Sequence, residues 1–156
     1  IEAIQIPEEH PKVYSIKTLE TPWISCACFL MPRQIYEATG GFDENIFLYG
    51  EDVDLSWSAR AAGFRTMICP SAMFFHDVSD RGYEAWRFRE MLISGRYLGH
   101  KWGSETFSSW TEQELVRRNF VRHRDELPPE EDLRADSVES EVADCKHGWA
   151  FSPGRW

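Results

Sequence analysis

Apolar positions change period several times along the chain, and each change marks an element. Residues 23–31, WISCACFLM, form a continuous apolar run of strand length and predict a strand buried on both faces. Pro32 then stands where a helix takes its first residue and Gly40 where it ends, so a short helix is expected over 33–39, with Phe42 folding back on its last turn. A second helix is expected from Glu51 to just before Gly63. At 100° per residue Leu55, Ala59 and Ala62 share one face of it, with Glu51 and Asp52 at the N-terminal end of that face. Residues 64–69 and 72–76 read as two short strands separated by a Pro70-Ser71 turn. Residues 84–101 carry a broad helical stripe that includes Trp86, Phe88, Leu92, Ile93, Tyr97 and Leu98. Thr111 and Glu114 are spaced as a capping box, with Trp110 and Leu115 as a staple, and predict a further helix start there. The first twenty residues, polar and proline-punctuated, read as a connecting segment with one short strand at 13–16. The acidic, proline-broken stretch 125–142 reads as a mobile linker.

Composition narrows the picture. A chain of 156 residues with 42% hydrophobic content suits one domain with a sizeable core. Its net charge of −9 argues against a broad phosphate-backbone interface, so nucleic acid is not an expected partner. No apolar run approaches the roughly 20 residues of a membrane span, and IEAIQIPEEH lacks a signal-peptide pattern. A cytoplasmic protein is expected, with a peripheral position at the inner membrane face as its variant. Cys26, Cys28, Cys69 and Cys145 lack paired metal-site spacing and are expected to be buried, reduced thiols.

The chemistry concentrates in GGFDENIFLYGEDVDL, residues 40–55, where five carboxylates alternate with glycines and aromatics. Asp52 and Asp54 resemble a D-x-D metal motif, yet on a helix their side chains diverge by about 160° and cannot chelate one ion. Asp54 reads as a first-turn acid favoured by the helix dipole. Glu51 and Asp52 are either N-terminal helix acids of the same kind or groups that face a cleft. His76 at a strand end is either structural or a metal ligand, and Asp77 either orients it or caps the next turn.

The segments SCACFLMPRQIYEATGGFDENIFLYGEDVDLSWSARAAGF and PSAMFFHD, with SGRYLGHKWG beyond them, resemble the second half of a family 2 glycosyltransferase of the GT-A fold, in its bacterial rhamnosyltransferase-like branch. The resemblance covers roughly residues 23–103. It implies an α/β chain: a connecting segment at 1–22, the C-terminal half of a GT-A domain at 23–103, and a helix followed by an acidic tail at 104–156. It implies transfer of a sugar from a nucleotide-sugar donor to a glycan or lipid-linked acceptor hydroxyl, with inversion, in cell-surface polysaccharide synthesis. Asp52 becomes the catalytic base and Glu51 the group that orients the acceptor or supports Asp52. Gly50 lets the acceptor approach, and Tyr49 and Trp57, with Phe47 and Leu48, either form an apolar wall for a sugar or lipid-linked acceptor or belong to the core. His76 becomes a ligand to Mn²⁺ or Mg²⁺, completed by a D-x-D from the donor-binding half. Nothing in 1–21 is long enough for that nucleotide-binding half, so the chain is expected to be the acceptor-side part of a longer enzyme that works with its donor half. A non-catalytic carbohydrate-binding or assembly module on the same architecture is the other reading.

Overall fold

The structure, a computed structural model, describes residues 1–77, 84–129 and 141–155. It divides into two compact units. The first combines 1–43, 51–82 and 142–156, and the second combines 44–50 and 83–141.

The first unit holds β1 (Glu2–Ile6), α1 (Arg33–Thr39), α2 (Glu51–Ala61) and β2 (Ile68–Phe75). β1 and β2 pair in parallel, with Glu2 opposite Ile68 and Ile6 opposite Phe75. The register shifts between Ala3 and Ile4, where Cys69 and Met73 are the successive partners. Pro70, Ser71 and Ala72 are therefore looped out of one strand rather than separating two, which corrects the expected pair of short strands. The amino-terminal segment, expected to be a connector, supplies the second strand of this sheet. Residues 13–16 form no strand.

The run 23–31 is not a strand either. Only its end pairs: residues 28–30 bridge β1 antiparallel, the Ala3 amide donating to the Cys28 carbonyl at 3.1 Å and the Leu30 amide to the Ile1 carbonyl at 2.8 Å, whereas Trp23, Ile24 and Ser25 are buried outside any ladder, the Ile24 amide donating to Ser56 Oγ of α2 at 3.0 Å. The expected helices α1 and α2 are present. Gly40 closes α1 at φ 78, a left-handed position that suits glycine, and Phe42 packs edge-on against Tyr36 at 6.2 Å. Residues 142–155, expected to belong to a loose tail, are packed into this unit. Phe151 lies 5.3 Å from Trp57, the Trp23 Nε1–H donates to the Ala150 carbonyl at 2.9 Å, and Ser152 Oγ accepts from the Val13 amide. Of the expected linker, residues 130–140 lie outside the described residues. The cysteines are free thiols, but Cys28 is exposed and Cys26, Cys69 and Cys145 are half-buried, so none is the core residue expected.

The second unit is a helical hairpin, α3 (Ala85–Lys101) and α4 (Glu105–Arg117). α4 begins about two turns earlier than the Thr111 capping box implies. Ser104 is the cap, accepting from the Phe107 amide, while Thr111 sits inside the helix with its hydroxyl donating to the Ser108 carbonyl. Leu92, Leu115 and Val121 form the core of the hairpin, covered by Phe88, Ile93, Val116, Phe120 and Leu127. A buried ion pair crosses it: Arg96 Nε lies 2.7 Å from Glu112 Oε1, and Arg124 meets the other oxygen at 2.5 Å. Gly99 lets the helices close, because a Cβ there would stand 2.7 Å from the Ser108 backbone nitrogen. Gly99→Ala is expected to cost about 1–3 kcal/mol by overpacking, outweighing alanine's higher helix propensity. Urea denaturation checks this, and an unchanged midpoint would mean that the hairpin has room to spread.

Candidate functional site

The loop that delivers the chain to α2 is held by α3 inside the second unit. Ser94 Oγ–H donates to the Leu48 carbonyl at 2.8 Å, and Asn45 Nδ2 lies 3.3 Å from the Tyr97 hydroxyl. Tyr49 and Gly50 then take left-handed backbone at φ 65 and 88. Glycine adopts this freely, but a tyrosine there costs free energy, and such strain concentrates at functional sites. A Cβ on Gly50 would lie 2.5 Å from Leu98 Cδ1, so this position excludes a side chain by both conformation and space. Phe47 is exposed and Leu48 and Tyr49 are half-buried.

In the first unit α2 opens on Glu51 and Asp52. Asp52 Oδ1 accepts from the Val53 amide at 2.8 Å, and its carboxylate also accepts from the Cys26 amide. Despite both bonds its pKa is raised from the usual 3.8 to about 6, first by burial and then by the Glu51 charge. Glu51 Oε2 is buried with no hydrogen-bond partner among the described residues. One adjacent carboxylate with its pKa raised to about 6 and another with an oxygen that has no hydrogen-bond partner among the described residues mark this helix start as the candidate site.

Two residues unremarked in the sequence complete these surroundings. Lys12 Nζ lies 2.5 Å from Glu2 Oε2, both side chains about 5% exposed, and 3.9 Å from the Trp23 ring centroid. Burial lowers the Lys12 pKa, opposed by Glu2 and, more weakly, by Asp52. Lys12 in turn lowers the proton affinity of Asp52. Cys26, beside the same carboxylates, has its thiol pushed up to about 12 by burial and then by Asp52 and Glu51, so it is no nucleophile here. Only the alternation of Ala3, Ile4 and Ile6 around polar Glu2 and Gln5 hinted that this segment carries a strand, and nothing local marked Lys12.

Several expected site residues are placed differently. Trp57 is completely buried, edge-on to Phe151, and has no surface to offer a sugar; its expected place in an apolar wall is corrected to the core of the first unit. Asp54 lies in the first turn of α2 as expected, with its side chain 2% exposed. His76 follows β2, its amide donating to the Ile6 carbonyl and its Nδ1 2.9 Å from Gln5 Oε1. One imidazole anchored in this way is not a metal site by itself. Among the described residues no three His, Cys, Asp or Glu side chains converge to complete one, so these residues alone do not fit a divalent ion. Among them, too, no helix is long and apolar enough to cross a membrane.

Parallel strands joined through helices, with paired acids opening the second helix, define a mixed α/β domain. The family model described as glycosyltransferase-like family 2 matches residues 15–122, and the chain belongs to that family. Its architecture is that of a partial GT-A domain. The chain is 43% identical over 54 residues to an N-acetylglucosaminyl-diphospho-decaprenol L-rhamnosyltransferase of Mycobacterium tuberculosis, a match covering 35% of this chain and 18% of that protein. It is 34% identical over 59 residues to the O-antigen biosynthesis protein RfbC of Myxococcus xanthus, covering 36% of this chain and 5% of that protein. The matches thus span less than a fifth of these relatives' length. No solved structure matches.

Proposed function

We propose that this chain supplies the acceptor-side part of an inverting glycosyltransferase of cell-surface polysaccharide assembly, with Asp52 as general base. The observation that carries this reading is the raised pKa of Asp52 beside the unpartnered Glu51 oxygen. An acceptor hydroxyl is a poor nucleophile. A carboxylate of pKa about 6 is ionised at neutral pH yet basic enough to take the hydroxyl proton as the bond to the anomeric carbon forms. Glu51, through its open oxygen, accepts a second acceptor hydroxyl and fixes the orientation. The relatives' printed names support a diphospho-decaprenol-linked or O-antigen glycan as acceptor; a nucleotide-sugar donor and a position at the inner membrane face belong to the same reading. The donor half lies elsewhere in a longer polypeptide, and any divalent ion is bound chiefly there.

Two measurements test this. Calorimetric titration of this chain with UDP-, GDP- and dTDP-sugars is expected to show no binding or only weak binding, and micromolar affinity would overturn the placing of the donor site outside it. In the full-length polypeptide, kcat/KM for transfer is expected to rise tenfold per pH unit below about 6 and to level off above it, because only ionised Asp52 accepts the proton. A profile flat from pH 5 to 8 would remove Asp52 from the proton transfer; complete absence of transfer would favour a carbohydrate-binding module.

A further inference from the structure

The sheet of the first unit carries an apolar stripe that this chain leaves open. Paired residues of neighbouring strands place their side chains on one face, and alternate residues along a strand return to that face. Ile4 is opposite Met73 and Ile6 opposite Phe75, so these four side chains share a face. At the amino-terminal end of the strands the same face is closed, because Glu2 and its partner Ile68 are both buried. Towards the carboxyl ends it opens: Met73 is 65% exposed, Phe75 71% and Ile6 39%, with Ile4 half-buried. Single exposed apolar residues are ordinary on a protein surface, but a set aligned across two paired strands marks an interaction surface.

We propose that a helix of the donor-binding half of the same polypeptide packs on this stripe. The inference rests on the proposed function for the existence of that half and names the surface that receives it. Parallel strands occur with both faces covered, because each crossover between them carries its helices onto one face. The crossover from β1 to β2 brings α1 and α2, a single layer, and leaves Met73 and Phe75 uncovered. Another crossover must supply the second layer, and in the proposed enzyme the donor half is the part that contributes one. The 54 matched residues are 18% of the rhamnosyltransferase relative, which makes that protein about 300 residues long, nearly twice the 156 here, with room for such a half. A second copy of this chain is the poorer occupant. A two-fold contact would set the stripe against itself, sheet on sheet, where a parallel sheet takes the apolar side of a helix.

Oxidation of Met73 by hydroxyl radicals, followed by mass spectrometry, reads the cover directly. It is expected to be about tenfold slower in the full-length polypeptide than in this chain, because a covered thioether is reached only through local opening. Equal rates would overturn the proposal. Protection already present in this chain and lost on dilution would overturn it too, by assigning the stripe to a second copy. The occupant is identified by placing p-benzoylphenylalanine at position 75 of the full-length polypeptide. Irradiation is expected to join that position to a peptide of the donor half within one molecule; a cross-link to a second molecule, or back into residues 1–156, would exclude that half. Phe75→Lys should leave the urea midpoint of this chain unchanged and restore most of the Met73 reactivity in the full-length polypeptide. A lowered midpoint in this chain would mean that Phe75 is already packed and the stripe is not open. Where the full-length variant fails to fold, the oxidation rates of the unaltered proteins decide. Protected Met73 without transfer would remove the proposed reaction and leave this interface; transfer with Met73 fully reactive would do the reverse.

Discussion

Asp52→Asn is expected to abolish sugar transfer in the full-length polypeptide by roughly 10²–10⁴-fold in kcat while making the fold more stable at neutral pH. Asparagine keeps the oxygen that accepts from the Val53 and Cys26 amides but cannot take a proton. Its effect on stability has a definite sign. Between pH 3.8 and about 6 the folded chain holds a proton on Asp52 that the unfolded chain has released, so stability falls as pH rises through that window. Asp52→Asn removes that loss. Its advantage over the natural chain should be absent below pH 4 and reach about 1–3 kcal/mol above pH 6. An ordinary N-terminal helix acid would behave the opposite way, since replacing it weakens the helix. Paired denaturation curves at pH 4 and pH 7.5 separate the two, and a variant less stable at pH 7.5 would return Asp52 to the role of helix-end acid. Asp54, buried as it is, cannot serve as an inert control for this comparison.

Lys12→Met should be the most damaging change to the first unit, at about 3–5 kcal/mol, because it leaves the Glu2 carboxylate buried without its cation. The double variant Lys12→Met/Glu2→Leu is expected to recover most of that loss, since an apolar pair of similar volume replaces the ion pair without a stranded charge. Urea midpoints of the two single variants and the double variant complete the cycle. If the double variant is as unstable as Lys12→Met, the loss comes from the lysine stem packed on Trp23 rather than from its charge.

The helices were the legible part of this fold. α1 and α2 are bounded by residues whose backbone preferences act locally, Pro32 and Gly40 for one and Gly63 for the other, and α3 shows a sustained apolar stripe. The strands were hidden because their partners are remote in sequence. β1 is short and polar at Glu2 and Gln5, and it becomes a strand because Ile68–Phe75 lies beside it, with residues 28–30 bridging it as well. Residues 23–31 misled because apolar side chains record burial but not the extent of a ladder: only 28–30 bridge β1, while the buried Trp23 and Ile24 lie outside that pairing. At α4, Thr111 and Glu114 imitate a cap, whereas the working cap, Ser104, follows Gly103 in a stretch without apolar periodicity. Of the candidate site, Glu51, Asp52 and Gly50 could be named from their motif. Lys12 and Glu2 could not, because a buried lysine is recognisable only once the carboxylate that neutralises it has been brought to it by the fold.

Phe151 packs on Trp57 in a unit assembled from three separated stretches of chain. On a translating ribosome, where domains form as units in order of emergence, this gives the two units different timetables. The helical hairpin has all its residues once position 141 has been made. The unit that carries the paired acids does not, although most of its chain is synthesised first. Its earliest strand and its first helices must wait, with Trp57 uncovered, until the last aromatic of the core has been added. Chaperone capture of nascent chains stalled before residue 151 should therefore fall sharply once that residue is free.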